Sequence, residues 1–152
     1  MPVIFASPAE LLGQEGRDLG VTEWLAIDQR RIDGFAEATE DRQWIHVDPA
    51  RAKAGPFGAT IAHGYLTLGL FAHFLPQLID VRQLAMGINV GLDRLRFLAP
   101  VRVDARIRGQ GTILGAEEIK GAVQLTTRLT VQIEGEDKPA CVGDVLGRYF
   151  PA

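Results

Sequence analysis

The chain has 152 residues, 47% hydrophobic and 23% charged, with a net charge of −3 at pH 7. This fits a single domain, 1–152, long enough to bury a real core. That balance gives no general attraction to nucleic acid, and no basic run is long enough to serve as a binding arm. Cys141 is the only cysteine, so neither an intrachain disulfide nor a cysteine-rich metal site is expected.

The three histidines, His46, His63 and His73, have no zinc-ligand spacing among them, so no metal is expected. The opening MPVIFASPAE has no basic n-region and too short an apolar run for an export signal. No apolar stretch reaches membrane-spanning length. The expected compartment is the cytoplasm.

In chain order, Ser7-Pro8-Ala9-Glu10 carries a capping pattern, which predicts a short helix over 8–13. Residues 20–27, GVTEWLAI, read as a strand. Asp28 caps a second helix, with Ile27 and Ile32 spaced as a hydrophobic staple, and that helix ends near Thr39 or Glu40. Asp48-Pro49 starts another short helix, which Gly55-Pro56 ends. Residues 57–61 should run extended into the most apolar stretch of the chain, 64–79. That stretch is hydrophobic nearly all round and predicts a helix covered on most sides, with Pro76 kinking or ending its last turn.

The second half changes period. Ile88, Val90 and Leu92 alternate on one face, then Leu95 and Phe97 shift phase, which predicts a β-bulge near Asp93-Arg94. Val101, Val103, Ala105 and Ile107 predict a further strand, residues 123–133 the cleanest one, and 140–150 the last. Gly109, Gly111, Gly115 and Gly135 read as turn punctuation. Some helices followed by consecutive antiparallel strands imply an α+β domain, its antiparallel sheet curled around the 64–79 helix.

The chemistry concentrates at 41–66, DRQWIHVDPARAKAGPFGATIAHGYL. Asp41 and His46 lie five residues apart in a segment that reads as loop, and His63-Gly64 opens the apolar helix seventeen residues later. A carboxylate and an imidazole sharing one water form an acid–base pair. A glycine N–H at a helix start can stabilise an oxyanion. Together they point to proton chemistry beside a carbonyl. The D-x-x-x-x-H spacing alone is weak, because a turn-capping Asp and an ordinary loop His would look the same.

The run DRQWIHVDPARA at 41–52, followed by FGATIAHGYLTLGL at 57–70, resembles the hydratase-2 motif of MaoC-like (R)-specific enoyl-CoA hydratases. LDRLRFLAPVRV at 92–103 resembles a further strand of that family. The resemblance covers roughly residues 20–150, and its 41–65 part is quite specific. It implies a hot-dog fold, with an antiparallel sheet wrapped around a long central apolar helix, usually assembled as a homodimer. It implies reversible hydration of a trans-2-enoyl-CoA ester to the (R)-3-hydroxyacyl ester without metal or organic cofactor. Asp41 and His46 would hold the water, with His46 as base, and Gly64 would supply the oxyanion donor. Gln43 stands where many members carry Asn, one methylene longer.

Gln43, Phe57 and Tyr65 are the candidate substrate contacts, while Trp44 and Ile61 could line an acyl tunnel or simply be core. Arg51, Lys53, Arg94 and Arg96 are available to the phosphates of coenzyme A, although charges on a solvated face need no ligand. His63 is expected to cap or pack, His73 and Asp48 to be structural, and Cys141 to be unreactive. No Gly-rich phosphate loop follows a strand, so no nucleotide cofactor is expected. The competing readings are thioester hydrolysis, dehydration of an acyl-carrier-protein ester on the same fold, and a non-catalytic acyl-CoA-binding or dimerisation domain.

Overall fold

A computed structural model describes residues 1–152. Strand β1 (Val3–Phe5) and a 3-10 turn at Pro8–Leu11 precede β2 (Asp18–Val21) and β3 (Leu25–Ala26). Helices α1 (Gln29–Thr39), α2 (Trp44–Val47), α3 (Pro49–Lys53), α4 (Gly64–Gly69) and α5 (Phe71–Leu78) follow. Strands β4 (Ile79–Val81), β5 (Leu84–Phe97), β6 (Arg106–Ile119), β7 (Ala122–Ile133) and β8 (Cys141–Pro151) complete the chain. The main sheet is antiparallel in the order β2-β6-β7-β8-β5, with β3 also on β6, and β1 pairs with β4 in parallel apart from it.

The expected antiparallel sheet around a central helix is present, with several local differences. The strand expected over 20–27 is divided, because Thr22 turns its side chain to the backbone it pairs with. Its N–H donates to the Gly109 carbonyl at 2.8 Å and its Oγ1 accepts from the Gly109 N–H at 2.9 Å. The helix expected over 8–13 is only the 3-10 turn. Residues 57–59 turn rather than extend, and only Thr60–Ala62 lies straight, hydrogen-bonded to 101–103. Residues 101–105 are correspondingly a loop: their alternating burial is as expected, but Asp104 at φ 68° folds them into a turn before β6 begins.

The central helix is two segments stepping at Leu70 (φ −70°, ψ −7°), and Ile79 already belongs to β4. Three of the four glycines read as turns have other work. Gly109, Gly111 and Gly115 lie inside β6, and only Gly135 turns, at φ 81°. An added Cβ at Gly109 would stand 2.8 Å from the Phe74 Cβ, and one at Gly111 would stand 3.0 Å from the Leu78 side chain. These glycines let α5 sit directly on the sheet. The β6–β7 hairpin turns at Lys120-Gly121, both at positive φ, as a two-residue primed turn requires.

Phe5, Leu11, Ile32, Phe74, Leu78, Ile107, Leu125 and Leu129 belong to one buried cluster between the helices and the concave face of the sheet. The bulge at 93–96 is present, with Arg94 at φ 53°, and it brings Leu92 and Leu95 together beneath Gly143. After the bulge Phe97 points inward as expected, its ring against Gly64 at the start of α4, although it is 46% exposed. Before it the apolar alternation does not reach the core: Ile88 (43%) sits on the outer face beside Arg148 and Gln124, and Val90 (39%) is also exposed. The central helix likewise keeps an open side at Tyr65, Gly69, Ala72 and Pro76, along a groove of about 350 Å³ between Leu68, Leu75, Asn89 and Val145. No helix is long and apolar enough to cross a membrane.

Candidate active site

The site is built where α1 ends. Asp28 Oδ1 accepts from the Arg31 N–H at 2.9 Å, and Ile27 and Ile32 are both fully buried, which fixes the start of α1. Glu40 then takes a left-handed conformation, φ 62° and ψ 15°, and throws the chain out of the helix. Asp41 follows on the surface, its Oδ1 accepting from the Gln43 N–H at 3.4 Å. The segment read as loop from Asp41 onward contains the one-turn helix α2, which holds His46. A short pairing secures α2: the Ile61 N–H donates to the Ile45 carbonyl at 3.0 Å.

His46 is buried, 6% exposed. Its Nδ1 lies 2.7 Å from the Ile61 carbonyl. A carbonyl can only accept, so Nδ1 carries the proton and Nε2 keeps a free lone pair. Burial is the main influence on this imidazole and holds its pKa below the ordinary histidine value, with His63 acting in the same direction. The Ile61 carbonyl and the Asp41 carboxylate act the other way without overcoming burial. His46 is therefore a neutral proton acceptor at neutral pH.

His63, at the N-cap of α4, is 2% exposed. Its side chain makes no capping bond. Instead Nε2 donates to the Asp41 carbonyl at 2.9 Å, and the ring stacks on His46 with centroids 3.8 Å apart and 23° between planes. Phe35 packs against the same ring at 4.7 Å. One donor atom from each of Asp41, His46 and His63 lies within 4.8 Å of the others. The sequence spacing of the histidines gave no sign of this meeting.

Gly64 is the first residue of α4, so its N–H belongs to the donors the helix cannot pair. A Cβ here would press within 3.2 Å of the Phe97 ring, so close packing also requires glycine. Gly64, Phe57, Ile61, Thr67 and Phe97 line a cavity of about 290 Å³, whose wall includes neither Asp41 nor His46. Tyr65 is 68% exposed and tilts against Phe97 at 6.0 Å, and Gln43 is exposed beside Asp41.

The remaining candidates divide. Ile61 holds His46 through its carbonyl. Trp44 lines none of the cavities described; it packs over Gly55 and under the Arg51 guanidinium at 4.3 Å. Asp48 caps α3, accepting from the Arg51 N–H at 3.1 Å. Arg94 reaches toward Asp144 at 4.0 Å and Arg96 donates to the Leu95 carbonyl at 2.8 Å. Cys141 is fully buried, and burial pushes its thiol up to about 11.

One residue of the site escaped the sequence. Gln29 Nε2 donates to the His46 carbonyl at 2.8 Å and to Asp33 Oδ1 at 2.9 Å, while its Oε1 accepts from the Thr60 hydroxyl at 2.6 Å. It ties α1 to both strands of backbone that carry and orient His46. A polar residue in a first helical turn gives no sign of such a partner 17 residues on.

A description of the MaoC-like domain matches residues 11–134. The chain belongs to the MaoC-like family. This MaoC-like domain is 46% identical over 146 residues to 3-hydroxyacyl-thioester dehydratase Z of Mycobacterium tuberculosis, covering 95% of this chain and 97% of the relative. Among solved structures it is similar to the R-hydratase PhaJ1 of Pseudomonas aeruginosa, with a TM-score of 0.74, 25% identity and coverage of 96% and 86% of the two chains. The (R)-hydratase of A. caviae involved in PHA biosynthesis gives a TM-score of 0.70 at 26% identity, over 88% and 94%. The hot-dog fold expected from the resemblance is the fold of this MaoC-like domain, and the family supports a dehydratase or hydratase, hence a lyase.

Proposed function

We propose that this MaoC-like domain, a single unit over 1–152, reversibly hydrates trans-2-enoyl-CoA to (R)-3-hydroxyacyl-CoA, with no metal or organic cofactor. The observation that carries the reading is the meeting of an exposed carboxylate with a buried, neutral imidazole whose Nε2 is free: a carboxylate oxygen and an imidazole nitrogen lie within 4.8 Å of each other, a gap one water can bridge. In the forward direction His46 Nε2 takes a proton from that water as its oxygen bonds to C3. The C2–C3 π pair moves toward the thioester, placing negative charge on its oxygen, where the Gly64 N–H stabilises it. C2 then takes a proton relayed through the Asp41–His46 pair and the charge returns. Water is added across the double bond and nothing else is consumed. Gln43, Phe57 and Tyr65 contact the substrate around the start of α4.

The relative named a 3-hydroxyacyl-thioester dehydratase supports the same reaction run backwards. The bare edge of β5, paired only with β8, supports a homodimer, since such edges are costly to leave open. The test is ultraviolet loss of a short trans-2-enoyl-CoA with thiol release followed in parallel. Absorbance should fall without free thiol, and His46→Ala, still folded, should lose about 10²- to 10⁴-fold of the rate. Full activity in that variant rejects the base assignment, and thiol release makes the protein a thioesterase instead.

A further inference from the structure

His63 presents a problem of chemistry. A neutral imidazole that donates through Nε2 to the Asp41 carbonyl has a bare lone pair on Nδ1. That Nδ1 is the one buried side-chain nitrogen or oxygen in the chain with no hydrogen-bond partner. Buried polar atoms are nearly always paired, and an orphan weakens the fold. A phenylalanine at this position would stack on His46 and pack against Phe35 as well, with no orphan. Asp41 itself is exposed, so burial alone does not hold its backbone in place. What only a histidine supplies is the combination: a flat face against His46 and, from the same rigid ring, a donor that holds the backbone of Asp41.

We propose that His63 is a positioning residue that sets the separation and angle between Asp41 and His46. This rests on the hydratase reading above for its consequence, though not for its geometry. The acid arrives on a surface loop just past a left-handed residue, with only 3.4 Å contacts of its own to hold it. The base is fixed in the interior. A ring whose face is 3.8 Å from one and whose edge is 2.9 Å from the other transfers the rigidity of the buried partner to the exposed one. His63 is also bonded directly to Gly64, so the dipeptide at the start of α4 relates acid, base and oxyanion donor. A misplacement of about 1 Å among such groups can cost about 100-fold in rate.

Two variants separate the ring's two contacts. His63→Phe keeps the stack and removes both nitrogens. His63→Gln loses the stack but places an amide N–H close to where Nε2 stood. The proposal expects His63→Phe to melt no lower than the parent, because the orphan is gone, with KM within about twofold and kcat reduced at least tenfold. It expects His63→Gln to recover a large part of that kcat. A kcat in His63→Phe within twofold of the parent overturns the proposal. So does a loss of kcat matched by a fall in melting temperature, or no recovery in His63→Gln.

Should the parent show no turnover on enoyl thioesters, the function reading fails separately. The geometry is then read by amide hydrogen exchange over 40–44. Faster exchange in His63→Phe but not in His63→Gln sustains the positioning role, and unchanged exchange in both overturns it.

Discussion

Gly109→Ala tests how the helix that starts at the site is seated on the sheet. The added Cβ would meet the Phe74 Cβ at 2.8 Å, its Cγ at 2.9 Å and its Cδ2 at 3.3 Å. Carbon atoms at rest stand about 3.5–4.0 Å apart, so α5 must retreat by about 0.7–1.2 Å or Phe74 must leave its place. Neither yields readily. Phe74 is fully buried, and both backbone groups of Gly109 are engaged by Thr22. Overpacking of this kind costs about 1–3 kcal/mol, and the unfolded chain's lost freedom returns about 0.4–1 kcal/mol. A net loss near 1.5 kcal/mol lowers the melting temperature by about 3–6 °C in a chain of this size. The control is Gly34→Ala, at an exposed position inside α1 with no atom within 4 Å of the new Cβ. There helix propensity alone acts, and alanine should stabilise by about 1 kcal/mol. Thermal and urea unfolding of the two variants should move in opposite directions. If Gly109→Ala is neutral or stabilising alongside Gly34→Ala, the seating argument is wrong.

Two further outcomes follow from the frame around His46. Because burial depresses its pKa, the unfolded chain binds a proton near the ordinary value of 6.5 while the folded chain still resists it. The contribution of His46 to stability is fully present above that value and is lost as pH falls through the folded pKa. Urea unfolding across this acid range should show that slope, and His46→Phe should flatten it; an unchanged slope would contradict the assignment. Gln29→Leu leaves the buried Thr60 hydroxyl and the His46 carbonyl without their partner, at a cost of about 1–3 kcal/mol. Gln29→Leu should also slow enoyl-thioester turnover by loosening the backbone that carries His46, and adding Thr60→Val should restore part of the stability, by removing the stranded donor, but not that rate, as unfolding and activity assays together would show.

Much of this architecture is legible in the residues because local signals and burial agree. Asp28 caps α1, the alternation of 123–133 marks β7, and the phase change at Asp93-Arg94 marks the bulge. Glycine misled because two uses look alike in sequence. At Gly135 it supplies a positive φ, whereas at Gly109 it supplies the absence of a side chain, and only the helix above tells them apart. Hydrophobic periodicity misled at Ile88 and Val90 because it reports which residues avoid water, not whether their own chain covers them. Asp41 and His46 were brought to notice by spacing and by resemblance together. His63 on His46, and Gln29 behind it, depend on a meeting of α1, α2 and the start of α4 that no local pattern encodes.

The parallel pair formed by β1 and β4 works as a clasp. About seventy residues of chain, including Asp41, His46 and Gly64, form a single loop between its two sides. Closing so long a loop is entropically expensive, and the hydrogen bonds of a two-stranded pair standing apart from the main sheet offset little of that cost. What holds the clasp is side-chain burial, since Phe5 and Ile79 both belong to the core beneath the helices. The N-terminal strand, far in sequence from any candidate catalytic group, is thereby fastened to the end of the central helix that begins at the site.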